Sequence, residues 1–276
     1  MTGKINYLSN RELLKEIHRS KTSYCEFTDP EYHQYDIIVD SIDEIFWPET
    51  QKQALANRNH RVATDNFHEA SALYAEGELE EKPRLAQHKE AMAQVEHDEL
   101  VYRVYTYEHI PLEPGRKRRP KKTADRHVKL NFTPFKHYVI REEQAVEVGR
   151  SHSLQGEFSK THGSITDQLA RMCLLLVDRY SQRSNWRRYS YLDEMMGQSL
   201  LQLSDMALQF DEAQSNNPFS YYTRVLQNSF TRVLNTEKKM QRAKDEILIS
   251  RGQTPSFGRQ LEHEAEQRAS REDSDN

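Results

Sequence analysis

From Ser164 to Ile247 the apolar residues return at steps of three and four, a period that only helices satisfy. Ser164 can cap a helix that places Ile165, Leu169, Met172, Cys173, Leu176 and Tyr180 on one face. Ser190 can cap a second, with Leu192, Met195, Met196, Ser199, Leu203, Met206 and Phe210 inward. Asn217-Pro218 opens a third: a capping amide, then a proline at the first helical position, where its missing N–H costs no helical hydrogen bond. The inward stripe of this third helix is Tyr222, Val225, Leu226, Ser229, Val233 and Met240, and the period holds to about Ile247. Beyond Ser250 the chain is polar and charged, and a flexible tail over 250–276 is expected.

The first 160 residues read differently. Ser9 and Glu12 have capping-box spacing ahead of Leu13, Leu14 and Ile17, which predicts a short helix within residues 1–20. Residues 47 to about 100 carry a helical pattern broken near Gly77 and Pro83. Residues 101–110, 127–132 and 137–140 are dense in β-branched and aromatic types and predict strands. Between the first two lies a loop with six basic residues in positions 116–122: Arg116, Lys117, Arg118, Arg119, Lys121 and Lys122. Such a loop is either a solvated hairpin tip or a second phosphate contact.

Composition excludes several chemistries. With 36% hydrophobic residues, 30% charged residues and a mean hydropathy of −0.93, a modest core under a large polar surface is expected. Cys25 and Cys173 cannot build a disulfide framework or a four-thiolate zinc site. The run Met172 to Val177 is far too short to span a membrane, and the N-terminus lacks the apolar core of a signal peptide. A protein of a reducing cytoplasm, without membrane contact, is the expectation. Histidines such as His60, His68, His88, His97 and His109 are scattered without ligand spacing, so no metal and no cofactor are expected. Asp40, Asp43 and Glu44 could hold Mg²⁺ for a nuclease, but their setting reads as an amphipathic element with its polar edge outward. There is no Walker loop, no GxGxxG and no GxSxG, and no enzymatic activity is expected.

Charge is segregated where the near-neutral total hides it. Residues 193–212 hold five acids (Asp193, Glu194, Asp205, Asp211, Glu212) and no Lys or Arg. Residues 213–244 hold six bases and one acid, Glu237. An acidic helix followed by a basic one suits two different partners. On the basic helix Tyr221, Arg224, Asn228, Thr231, Asn235, Lys238 and Arg242 recur at alternating steps of three and four and form one outward face. Aromatic rings can stack on unpaired bases, amides can read base edges, and Lys or Arg can neutralise phosphates.

The order Tyr191-Leu192-Asp193-Glu194-Met195-Met196-Gly197-Gln198-Ser199 through Phe210-Asp211, then Asn217-Pro218-Phe219-Ser220-Tyr221-Tyr222-Thr223 and Asn228-Ser229-Phe230, resembles region two of the sigma-seventy family. More closely it is similar to the late-transcription sigma factors of T-even-like bacteriophages, whose opening is similar to Tyr7-Leu8-Ser9-Asn10-Arg11-Glu12-Leu13-Leu14. The resemblance covers residues 7–18 and about 165–245. It implies a mainly α fold: a region-two-like helical bundle with a small β-containing insertion and a flexible C-terminal tail. The expected division is an N-terminal helix of that bundle over 1–20, an inserted α+β segment over 21–160, a helical domain over 161–249, and the tail.

The resemblance further implies a phage protein that binds host core RNA polymerase and directs it to A/T-rich late promoters. Asp193, Glu194, Met195, Gln198, Leu201 and Gln202 would dock on the clamp helices of the largest polymerase subunit. Phe219, Tyr221 and Tyr222 would meet the promoter where it opens, and Arg224, Asn228, Thr231, Arg232, Asn235, Lys238, Lys239 and Arg242 would face promoter DNA. Phe257 and Leu261 are the nearest candidates for the family's sliding-clamp contact. The family's primary members carry a tryptophan pair where this chain has Val225-Leu226, so opening would need help from polymerase or a phage co-activator. Two other readings stand beside this one: a helical DNA-binding accessory protein of phage replication or packaging, and a metal-dependent nuclease on the N-terminal half.

Overall fold

The structure, a computed structural model, describes residues 8–78, 81–84, 100–112, 115 and 129–274. About 55% is helical, with six helices and a small mixed sheet among the described residues. The chain forms two compact units, one of residues 1–170 and 206–218, the other of residues 171–205 and 219–276.

The first unit is built on α1 (Asn10–Thr22), α2 (Pro48–Glu76) and the strands. Ser9 caps α1, its hydroxyl accepting from the Glu12 N–H at 3.2 Å. Leu13 and Ile17 are fully buried on its inner face, each worth about 1.5–3 kcal/mol of burial. Five strands make one sheet: β1 (Cys25–Phe27), β2 (Ile37–Val39), β3 (Tyr102–Tyr105), β4 (Phe135–Arg141) and β5 (Gln144–Ser151), in the order β1-β5-β4-β3-β2. Among the described residues only the β2–β3 pair is parallel, and α2 lies within the connection between those strands. Pro48 starts α2, and Gly77 ends it in the left-handed region at φ +83°, with its N–H returned to the last turn. One sheet face packs Tyr102, Val104 and Tyr138 with Val39, Ile45, Ala54 and Leu100. The opposite face carries Val101, Arg103 and His137, the last two opposed across β3 and β4.

Three sequence expectations change here. Strands run on past those expected, which end at residue 140: β5 extends to Ser151, and a hairpin of β6 (Ser153–Leu154) and β7 (Glu157–Phe158) follows. Its turn residues Gln155 and Gly156 have φ of 53° and 81°, as a tight hairpin requires; with one apolar residue per strand, alternation had nothing to register. Of the expected strand at 127–132, residues 127 and 128 lie outside the described residues, and Asn131-Phe132 forms a bend with Phe132 buried. Helix α1 belongs with the sheet, not with the C-terminal helices. Thr166 donates to Glu16 Oε2 at 2.7 Å and takes Ser20 Oγ as acceptor for its N–H at 3.0 Å.

Helix α3 (Asp167–Ser181) crosses from the first unit into the second, its start capped by Thr166 rather than Ser164. The second unit continues with α4 (Leu192–Met206), α5 (Pro218–Ser250) and α6 (Phe257–Ser274). Asn217-Pro218 marks the start of α5 as its sequence requires. Phe230 is fully buried, with the rings of Tyr180 and Trp186 at 5.0 and 5.3 Å. Met195, Ser199 and Leu203 from α4 and Tyr222, Leu226, Ser229 and Val233 from α5 are buried. Met240, expected on the inner stripe, is 61% exposed. Length explains it: at 1.5 Å per residue α4 is about 22 Å long and α5 about 50 Å, so the distal half of α5 outruns its partner. The tail expected to be flexible holds α6, clasped at its start by Asp245, which accepts from the Ser256 N–H at 2.8 Å and its hydroxyl at 2.7 Å.

Candidate nucleic-acid interface

Helix α5 sorts its residues by face. The buried stripe holds Tyr222, Val225, Leu226, Ser229, Phe230 and Val233. Val225 and Leu226 therefore serve the core. Arg224, Asn228, Thr231, Arg232, Asn235, Lys238, Lys239 and Arg242 are all exposed. Arg224, Asn228, Thr231, Asn235 and Lys239 share one shallow groove with Gln227 and Thr236. From Arg224 to Arg242 the face spans about 27 Å at 1.5 Å per residue, the length of about eight base pairs at 3.4 Å each. Arg232 also donates to Gln202 Oε1 on α4 at 3.4 Å, which fixes one cation of the face. At the aromatic end, Phe219 is 40% exposed, Tyr221 is half-buried with its ring 5.5 Å from that of Tyr222, and Tyr222 is fully buried. Tyr222 is thus a core residue, and two aromatic side chains rather than three are available to a ligand.

The expected polymerase-docking residues divide in the same way. Asp193 and Glu194 are exposed in the first turn of α4, where carboxylates oppose the helix dipole favourably. Gln198 is exposed and donates to Glu194 Oε1 at 3.0 Å, Leu201 is 62% exposed, and Gln202 is half-buried. Met195 is fully buried, so the expected docking contact at that position is corrected to a core role. Helical period explains both corrections: residues 195 and 222 fall on the inward arcs of their helices, beside surface positions one step away. Phe257 and Leu261 on α6 are 73% and 48% exposed. Arg116, Lys117, Arg118, Arg119, Lys121 and Lys122 lie outside the described residues.

The first unit holds a polar cluster that sequence reasoning missed. Arg103, 1% exposed, donates to Glu212 Oε2 at 2.8 Å and to His137 Nε2 at 3.0 Å. Its guanidinium sits between the rings of Tyr35 and Phe135, 3.7 and 3.8 Å from their centroids. Lys21, also buried, lies 3.4 Å from Glu212 Oε1 and donates to the Phe210 carbonyl at 2.8 Å. Burial alone would raise the Glu212 carboxyl, but the fields of Lys21 and Arg103 outweigh it and hold it down at about 2. His137 is neutral because burial and Arg103 both oppose its charge, and its two contacts fix the tautomer: Nδ1–H donates to the Tyr32 carbonyl at 2.7 Å while Nε2 accepts.

A groove of about 950 Å³ borders this cluster, lined among others by Arg11, Lys15, His18, Tyr35, Arg61 and Glu212. Burial pushes the nearby Cys25 thiol up to about 12, which removes it as a nucleophile at neutral pH. Glu44 is occupied by its own turn, accepting from the Asp40 N–H at 3.3 Å and from Ser41 Oγ at 3.1 Å. Among the described residues no group of three or more His, Cys, Asp or Glu side chains could hold a metal ion. Likewise no helix among them is long and apolar enough to cross a membrane. No protein-family model, curated protein or solved structure matches the chain.

Proposed function

We propose that the chain is a sigma factor of the late-phage type. In the cytoplasm of its bacterial host it binds core RNA polymerase and directs it to A/T-rich late promoters without catalysing a reaction itself. The observation that carries this reading is the division of labour between α4 and α5: two helices that share a core show solvent an acidic start on one and an amide-and-cation face on the other. Asp193, Glu194, Gln198 and Leu201 form the polymerase contact, with Gln202 at its edge. Arg224, Asn228, Thr231, Arg232, Asn235, Lys238, Lys239 and Arg242 form the promoter contact.

The mechanism follows from that chemistry. Cations on α5 neutralise phosphates and set the register, while Asn228 and Asn235 carry the donors and acceptors that distinguish base pairs. Phe219 and Tyr221 stack on bases that open, returning about 1–3 kcal/mol per stacked base. Since Val225 and Leu226 are spent on the core, that return is small, and polymerase or a phage co-activator supplies the rest. Phe257 and Leu261 would serve a sliding clamp as a further contact.

The test is to mix purified protein with host core polymerase, isolate the complex, and run transcription on an A/T-rich late-promoter template. A stable complex that initiates at one site is the expected result. DNA binding without any polymerase complex would replace this reading with a DNA-binding accessory role.

A further inference from the structure

The turn between α3 and α4 is a basic surface with no part in the proposed polymerase and promoter contacts. Residues 179–192 include four arginines, Arg179, Arg183, Arg187 and Arg188, and no Asp or Glu. All four are exposed. Among the described residues none of them makes an ion pair with a carboxylate. Uncompensated, closely spaced guanidinium groups repel one another, a cost that an anionic partner relieves.

The turn is also held in place. Trp186, 7% exposed, anchors it against Phe230, and its backbone N–H donates to the Arg183 carbonyl at 3.0 Å. The Tyr189 N–H donates to Trp186 at 3.2 Å, the Arg187 side chain donates to the Gln182 carbonyl, and Arg183 lies over the Tyr180 ring at 4.3 Å. Two half-buried tyrosines, Tyr189 and Tyr191, stand beside the arginines with ring centroids 5.2 Å apart. Fixed cations interleaved with partly exposed rings suit a phosphate backbone whose bases are free to stack.

We propose that the Arg183–Tyr191 turn is a second nucleic-acid site, specific for single-stranded DNA and built from residues that the α5 face does not use. Arg183, Arg187 and Arg188 contact phosphates, and Tyr189 and Tyr191 meet unpaired bases. Duplex DNA offers the phosphates but hides the base faces, so it gains only part of this interaction.

The experiment measures binding of the full chain, without polymerase, to a fluorescent oligothymidylate and to a duplex of equal length across a salt series. Changing Arg183, Arg187 and Arg188 together to Gln should weaken oligothymidylate binding about tenfold or more. It should also flatten the salt dependence by about 2 in log–log slope, three contacts at about 0.7 each. Duplex affinity should fall several-fold less than oligothymidylate affinity, and the triple Lys variant should keep the wild-type slope. Circular dichroism of each variant checks that the helices persist. Unchanged oligothymidylate binding by the folded Gln variant would overturn the proposal, as would equal losses on both ligands. The assay contains no polymerase, so failure of the sigma reading leaves its outcome untouched.

Discussion

Replacing Glu212 by Ala should damage the first unit far more than an average substitution, because of what it leaves behind. Among the described residues Glu212 is the one carboxylate that pairs with both Lys21, at 3.4 Å, and Arg103, at 2.8 Å, and each of these cations is under 5% exposed. Truncation strands two buried positive charges and removes the acceptor of the Tyr35 hydroxyl at 3.2 Å. Breaking a buried pair from one side costs about 3–5 kcal/mol. The assay is native-state amide exchange on β3 and β4, which reports this unit by itself. At about 1.4 kcal/mol per tenfold, protection should fall by roughly 10²–10³-fold or more. Glu212→Gln keeps shape but turns an amide toward the guanidinium, and should fall between. A converse variant, with Lys21, Arg103 and Glu212 all replaced by apolar residues of similar volume, should lose much less than Glu212→Ala alone. A loss below about 1 kcal/mol for Glu212→Ala would refute the reasoning and mean that water reaches the cations.

The charges of α5 and the buried histidines of the first unit set two further outcomes. If Arg224, Arg232, Lys238, Lys239 and Arg242 each neutralise one phosphate, the log–log salt slope for duplex binding is about −4.5, and affinity falls about 500-fold between 50 and 200 mM salt. Lys238→Gln with Lys239→Gln should bring that slope to about −2.7 in a titration by fluorescence anisotropy, whereas an unchanged slope would remove those lysines from the contact. His137 and His152, both fully buried, contribute to the pH dependence of stability. Burial lowers His152 to about 3 and His137 well below its ordinary value of 6.5. A depressed folded value means that the unfolded chain binds the proton first, so this stability is complete above pH 6.5 and is lost as pH falls through that value toward the folded ones. Between pH 7.5 and 5 His152 should remove about 2 kcal/mol from the first unit, and His137 adds a loss in the same direction; denaturant unfolding at the two pH values measures it, and equal midpoints would contradict it.

Periodicity made the second unit legible. Tyr222, Leu226 and Val233 were recoverable from spacing alone, because a helix repeats its burial every three to four residues. Spacing failed at Met240, where no neighbour continues beside α5, since period marks a face but not what covers it. In the first unit the strand types at 101–110 and 137–140 showed themselves through β-branched and aromatic residues. The hairpin after β5 did not, its register being set by turn residues and pairing rather than by hydrophobic pattern. The Lys21–Arg103–Glu212 cluster was invisible for a different reason: Arg103 and Glu212 are 109 residues apart, and a charged residue in a sequence reads as surface until a fold supplies its counter-ion. The α5 face was legible as a set, and period placed Tyr222 and Met195 inward; it was the family resemblance that drew these two core residues into the expected contacts.

The most direct measurement is made on the acidic start of α4. Asp193→Lys with Glu194→Lys reverses two exposed charges without touching the core of either unit. Capture of host core polymerase and run-off transcription from an A/T-rich late promoter are then measured beside duplex binding by the same preparation. The sigma reading predicts that capture and initiation are lost while duplex affinity holds within twofold. Full capture and full initiation by the reversed variant would contradict it.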